Sequence, residues 1–402
     1  MLQPATYLNK RHLIDFDVVN QRVLVRVDFN VPLNNSGVAD DSRIRAALPT
    51  IRMLIENQAA IILCSHLGRP NGKRVSELSL KPIAAHLSKL LNRAVGFVSD
   101  CVGPQAERRV QELQPGEILL LENTRFHIGE KENHPDFAKQ LASLADLFVN
   151  DAFGAAHRAH ASTVGVTKFL PSAAGLLMEK ELSILGSVFD PKERPLVAIL
   201  GGAKIADKIG LMKKFLQVAD ALLLGGGMAN TFLVAQGHSL GDSLVDFNSV
   251  EVAGRYLDEY GEKLLLPRDA VIADSISAEA QIQTVSVDEV PEGWRILDIG
   301  PQTRQAYSKS IEEASLIVWN GPMGVFEIAA FSEGTNAIAR EIAQSEARAI
   351  IGGGDSAAAI KQLGLQSQIY HLSTGGGATL AYLSGAELPG VAALDDRPSE
   401  HD

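Results

Sequence analysis

Cysteine is nearly absent. Two residues, Cys64 and Cys101, cannot build a disulfide framework in a chain of 402. They read as free thiols in a reducing compartment. Long apolar runs are also missing. The longest, Ala221–Ala229, reaches about ten residues with its glycines counted, and a membrane helix needs about twenty. The N-terminus, Met-Leu-Gln-Pro-Ala-Thr, has neither a basic n-region nor an apolar h-region. Positive charge is in deficit: 37 Lys and Arg stand against 48 Asp and Glu, a net −11. That argues against a nucleic-acid coat or a polybasic membrane patch. No G-x-x-x-x-G-K-[ST] loop, no G-x-S-x-G elbow, no low-complexity tract and no short-period repeat occurs. The expectation is a cytoplasmic protein that contacts neither membrane nor nucleic acid.

What is present suggests two domains, since chains average about 150 residues per domain. Residues 1–185 hold 21 basic and 19 acidic side chains, a balance of +2; residues 186–402 hold 16 and 29, a balance of −13. Short apolar runs recur in both halves. The first has Val23–Phe29, Ala60–Cys64, Ile118–Leu121 and Leu147–Val149. The second has Leu196–Leu200, Ala221–Leu224, Val271–Ala273, Leu316–Trp319, Ala349–Ile351 and Ile369–Leu372. Most lack polar alternation and read as strands of parallel sheets buried on both faces. Helical segments such as Ser79–Leu91, Asp136–Ala145 and Ser332–Ser345 lie between them, which makes the fold α/β. A helix is expected over residues 172–189, with Ser172 as N-cap and Met178, Leu182, Leu185 and Phe189 on one face. It would join a domain of residues 1–171 to one of 190–385, leaving 386–402 as a tail that returns to the first domain.

In open α/β sheets, ligands bind outside the carboxyl ends of the strands. Polar residues collect there in the first half: Asp28 and Asn30; Ser65-His66-Leu67-Gly68-Arg69; Glu122-Asn123-Thr124-Arg125; and Asn150-Asp151 with His157-Arg158-Ala159-His160. A lone arginine is usually a solvated surface charge. Four of them, Arg43, Arg69, Arg125 and Arg158, three just past strand ends, suit a small anion with carboxylate or phosphate groups. His157 and His160 have i, i+3 spacing, but no third ligand stands near them for zinc. The second half ends its runs in glycine: Gly201-Gly202-Ala203-Lys204, Gly225–Gly227, Asn320-Gly321-Pro322, Gly352-Gly353-Gly354-Asp355-Ser356 and Gly375–Gly377. Bare backbone lets N–H groups approach a phosphate. Lys204 is expected to open a helix with Ile205, Ile209 and Met212 as its apolar stripe and Lys208 one turn on. Residues 352–357 fit the loose G-x-G-x-x-G/A dinucleotide pattern, which keeps a nicotinamide-dependent dehydrogenase as an alternative. No acidic residue ends a strand about twenty residues on, so a Mg²⁺–nucleotide site with Asp355 at a helix start fits better.

Arg26-Val27-Asp28-Phe29-Asn30-Val31-Pro32-Leu33, Ser65–Pro70, Asn150–Gly154, His157–His160, Gly201–Lys204, Trp319–Glu327, Gly352–Ser356 and Ser373–Gly377 together resemble phosphoglycerate kinase, in that family's order and across nearly the whole chain. The resemblance implies two Rossmann-like domains with mainly parallel sheets, facing each other across a cleft. It implies a monomer that binds 3-phosphoglycerate or 1,3-bisphosphoglycerate through Asp28, Asn30, Arg43, His66, Leu67, Gly68, Arg69, Arg125 and Arg158. ADP or ATP, with Mg²⁺ on Asp355, would be held by Lys204, Lys208, Glu327, Gly353, Gly354, Asp355 and Ser356. Ala381 departs from the family, which usually carries Glu there. Phosphoryl transfer needs in-line positioning and fixed positive potential more than an acid or base. Arg43, Lys204 and the backbone around Gly376 are therefore expected to carry catalysis, with domain closure excluding water. A module that binds the anion but has a dead transfer centre is the remaining alternative; Arg43, Lys204, Glu327 and Asp355 together speak against it.

Overall fold

The computed structural model describes residues 9–34 and 37–398. Its contacts divide the chain into two compact units. One runs to Ser183 and takes up the segment from Glu387 onward; the other is Ile184–Ala386.

The first unit is built on a six-stranded sheet, parallel throughout. Its order is Val95–Val98, Ile118–Leu121, Ala60–Cys64, Arg22–Arg26, Leu147–Asn150, Ser172–Ala174. Val23–Val25 and Ile61–Leu63 have no exposed surface, because helices cover both faces. On one face the core runs from these strands into Ile44, Ile51 and Leu54 of the helix Ser42–Glu56 and Ile83 and Leu87 of Lys81–Leu91. Strand Arg22–Arg26 has Ala60–Cys64 on one side and Leu147–Asn150 on the other, so the order reverses there and opens a crevice at the strands' carboxyl ends.

The segment from Glu387 onward is tied into the same unit. Lys10 Nζ donates to Ala392 O and Leu394 O, each at 2.8 Å, and Asp395 exchanges hydrogen bonds with Ser172. Asn150 Nδ2 donates to Gly390 O at 2.7 Å.

The second unit repeats the scheme. Its main sheet is also parallel, in the order Leu264–Leu265, Ala221–Leu224, Leu196–Leu200, Leu316–Asn320, Arg348–Gly352, His371–Leu372. Its order reverses at Leu196–Leu200, next to Leu316–Asn320. Val271–Ala273 departs from the sequence reading. Strand Asp269–Ala273 is the centre of a separate antiparallel sheet, between Ile282–Ser286 and Arg295–Ile299. Being central it is mostly buried, packing Ala270 and Ile272 on Leu233 and Leu240, and burial hid the alternation that marks such sheets.

The expected helix over 172–189 is corrected too. Ser172–Ala174 is an edge strand, and the helix is Leu176–Gly186, with the boundary between units inside it. Ser172 cannot cap because it is paired with Asp395. The cap is Asp151, whose Oδ1 accepts from Leu177 N and Met178 N at 2.9 and 3.2 Å. The same device recurs. Asp269 accepts from Gln302 N and Thr303 N at the start of Pro301–Glu312, and Asp298 accepts from Gly334 N at the start of Glu333–Gln344. Burial pushes the carboxyls of Asp151 and Asp298 up to about 6 and about 7.

Candidate active site

Each unit presents a candidate site of its own at the carboxyl end of its parallel sheet. In the first unit it is made of side chains that hold one another. Asp28 Oδ2 lies 3.2 Å from Arg43 Nη1, which also donates to Asn30 O at 3.0 Å. Asn30 Oδ1 accepts from Gly68 N at 2.9 Å, and Gly68 O accepts from Arg125 Nη1 at 2.8 Å. Gly68 has φ of +61° and lies so close to Leu78 that a Cβ would collide with that side chain, so the turn requires glycine. Both backbone groups of Leu67 are taken by Asn123, and its side chain is in the core. Leu67 therefore shapes the loop and has no free donor to offer a substrate. Arg69 and Arg158 are exposed, whereas Arg125 and His66 are buried to 5%.

Cations outweigh carboxylates among these residues, although Asp28 and Glu130 lie beside them. His66 is held well below the usual imidazole range, first by burial and then by Arg26, Arg125, His160 and Arg158. Burial and the same three arginines bring His160 down to about 3. Arg125 itself is lowered to about 10 by burial, then by Arg158 and Arg26. Among the described residues its buried Nε has no partner. Cations crowded in a poorly solvated crevice repel one another unless an anion joins them. Arg26 belongs to this cluster although the sequence reading passed over it. The signal was there in an arginine directly after the apolar run Val23–Val25, at the strand's carboxyl end, where the structure buries it fully.

In the second unit the candidate site is mostly backbone. Gly201 and Gly321 sit where the sheet order reverses. A Cβ on Gly201 would run into Pro322 O, and one on Gly321 into Gly201 O and Lys208 Nζ. Only glycine lets these loops close on each other. Trp319 Nε1 donates to Gly321 O at 2.7 Å, and Gly321 N donates to Ser356 Oγ at 2.7 Å. The Ser356 hydroxyl is thus engaged within the fold, which leaves its backbone as the part free to meet a ligand. Lys208 Nζ donates to Gly201 O and Asn320 O at 2.6 and 3.0 Å, tying the same loops together.

Lys204 does not open a helix. It lies in an exposed loop, followed by a 3-10 turn, Ala206–Lys208, and the helix Ile209–Val218. Of the expected stripe, Ile205 and Met212 are buried but Ile209 is 38% exposed. Gly353, at φ +96°, precedes the helix Gly354–Gln362, which carries Asp355 in its first turn; Gly376 precedes Gly377–Leu383, which contains Ala381. A cleft of about 530 Å³ lies beside these loops, bordered by Gly202, Gly226, Leu244, Pro322, Val325, Glu327 and Asp355. Buried Asp298 lies at its wall and was missed in the sequence.

Among the described residues, one group brings three metal-type donors together: Asp100, Cys101 and His127. Asp100 is already bound by His127 at 2.7 Å and by Arg74, and burial holds the Cys101 thiol well above its usual range. It is an ion-paired cluster, and His127 directly follows the turn Thr124–Phe126 that carries Arg125.

The family model described as phosphoglycerate kinase matches residues 13–386. The chain belongs to the phosphoglycerate kinase family. It is 56% identical over 394 residues to a phosphoglycerate kinase of Herpetosiphon aurantiacus, spanning 97% of this chain and 100% of that one. It is 54% identical over 391 residues to one from Moorella thermoacetica, spanning 96% and 100%. The solved phosphoglycerate kinase of Coxiella burnetii superposes with a TM-score of 0.86 at 42% identity, covering 96% of this chain and 98% of that one. Like its family, the chain is a glycolytic transferase. It moves a phosphoryl group reversibly between 1,3-bisphosphoglycerate and ADP, giving 3-phosphoglycerate and ATP. The dehydrogenase alternative falls with this finding. Gly352–Gly354 lies at the fifth strand of its sheet, not in the first strand-to-helix turn where a dinucleotide fingerprint belongs.

Proposed function

We propose that the first unit binds the phosphoglycerate, the second binds the nucleotide, and closure about the helix Leu176–Gly186 brings the reacting groups together. The observation that carries this reading is the contrast between a cation-crowded crevice on one sheet and a glycine-walled cleft on the other. Arg125, Arg158, Arg69 and His66 hold the three-carbon acid, and Asp28 and Asn30 hold Arg43 in place. Arg43 and Lys204 meet the charge that spreads over the transferring group, with the backbone at Gly353–Gly354 and Gly375–Gly377 completing the cradle. Lys208 supports the cradle from below, and Glu327 binds the ribose.

Asp355 is exposed on the cleft and makes no hydrogen bond or ion pair among the described residues, so its carboxylate suits a hard divalent cation. Bound there with the nucleotide, Mg²⁺ would neutralise phosphate charge. The enzyme works as a monomer in the cytoplasm. Its two cysteines are buried and free, and among the described residues no helix is long and apolar enough to cross a membrane.

The test is ATP formation from 1,3-bisphosphoglycerate and ADP, with and without Mg²⁺, beside small-angle scattering. Activity that needs Mg²⁺, and compaction only when both substrates are bound, are the expected results. Full activity in chelator, or no compaction with both substrates, would contradict the respective parts.

A further inference from the structure

Behind the basic crevice runs a chain of buried side chains in which each proton can be placed from donor and acceptor chemistry. Glu130 is fully buried, and one residue occupies both of its oxygens. Ser162 donates its hydroxyl to Oε1 at 2.6 Å and its backbone N–H to Oε2 at 3.0 Å. The same hydroxyl oxygen accepts from Arg26 Nε at 2.8 Å. Arg26, also fully buried, donates from Nη1 to Val27 O, and its Nη2 lies 3.0 Å from His66 Nδ1.

A guanidinium carries donors only. The ring atom it meets must therefore accept, so Nδ1 holds no proton. The ring is then neutral, with its single proton on Nε2.

We infer that Glu130, Ser162 and Arg26 form a positioning relay that locks His66 as the neutral Nε2–H tautomer, making it an uncharged donor for an oxygen of the three-carbon acid. This rests on the reading of His66 as a substrate ligand. The relay has one direction. Arginine can only donate, so the serine oxygen must accept from it and send its own proton to Glu130. It also answers a charge problem. Arg26 has no direct carboxylate partner among the described residues, and Glu130 reaches it through one hydroxyl. A neutral histidine adds a hydrogen bond beside Arg125 and Arg158 without adding a further positive charge. The groups that bear on the ring are Arg26, Arg125, His160 and Arg158, all of which disfavour the imidazolium.

The experiment is a two-bond ¹H–¹⁵N correlation spectrum of the histidine rings in the full-length protein, with His66 assigned by His66→Gln. The expected spectrum shows Nδ1 unprotonated and Nε2 protonated, unchanged from pH 8 to about pH 6, below the ordinary imidazole pKa. In Ser162→Ala the tautomer should become mixed. The KM for 3-phosphoglycerate should rise roughly three- to tenfold, with kcat and the ATP KM held, as expected for one weakened hydrogen bond. Ser162→Thr, which keeps the hydroxyl, should restore both. A wild-type ring protonated at Nδ1, or an imidazolium at pH 7, overturns the relay without any variant having to fold. So does a Ser162→Ala spectrum identical to wild type. The expected spectrum, lost in Ser162→Ala without any change in the 3-phosphoglycerate KM, supports the relay and overturns instead the role of His66 as a substrate ligand.

Discussion

On the proposed reading, the two units hold phosphate-bearing molecules by opposite means. The first unit uses charged side chains that constrain one another: Asp28 with Arg43, Asn30 with Gly68, Gly68 with Arg125. The second uses backbone, held in place by the close approach of Gly201 to Pro322 and Gly321 to Gly201. The difference shows why the balance of charge says little about where an anion binds. On the proposed reading, the half with −13 takes a nucleotide because its contribution is local geometry, and the half with +2 gathers Arg26, Arg43, Arg69, Arg125 and Arg158 at one sheet edge. It also means that the two should fail differently. Side chains can be removed one at a time, whereas a backbone cradle fails when an atom is added.

The contrast can be broken most directly at the transfer centre. Arg43→Ala and Lys204→Ala should each lower kcat roughly a hundredfold or more, about 3 kcal/mol of transition-state stabilisation, measured in the coupled ATP assay. Near-normal kcat in either would remove that residue from the centre. Next comes the backbone. Gly201→Ala forces a methyl group into Pro322 O and should destabilise the second unit by about 1–3 kcal/mol with loss of ATP affinity, read by denaturant unfolding and calorimetry. The phosphoglycerate affinity of the folded fraction should be unchanged. Arg158→Ala should act on the other side alone, raising the 3-phosphoglycerate KM; an effect confined to ATP would reverse the assignment of the two units.

The smallest effect is on titration. His160, at about 3, is neutral in the folded protein, while an unfolded histidine protonates near 6.5. The unfolded state therefore binds the extra proton first, and this group's contribution to stability is lost as pH falls from about 6.5 toward 3. Binding 3-phosphoglycerate beside Arg125 and Arg158 should raise the His160 pKa, visible as a shifted NMR titration. No shift would place the acid elsewhere.

Much of this was legible in the sequence, for a physical reason. Strands buried on both faces are uninterrupted apolar runs, so Val23–Val25 and Leu196–Leu200 announced themselves, and the polar residues after them marked the ligand edge. What escaped notice depended on contacts far apart in the chain. Ser172 looked like a helix cap until Asp395, 223 residues on, took its hydrogen bonds. Asp269–Ala273 resembled a parallel strand because central strands of small sheets are buried too. Lys204 resembled the start of a helix because buried Ile205 and Met212 flank the true start, Ile209, which lies just past a 3-10 turn. Glu130 and Ser162 carry no motif of their own and acquire meaning only through Arg26.

The docking of Lys10 onto Ala392 and Leu394 ties the segment from Glu387 onward into the first unit. The chain leaves the first unit after Ser183 and re-enters it at Glu387, so the second unit is an insertion within the first. On a ribosome, Ile184–Ala386 emerges whole while the first unit still lacks its last piece. The second unit can therefore complete its own folding before Lys10, Ser172 and Asn150 meet their partners. Emergence of the segment that begins at Glu387 becomes the event that completes the first unit.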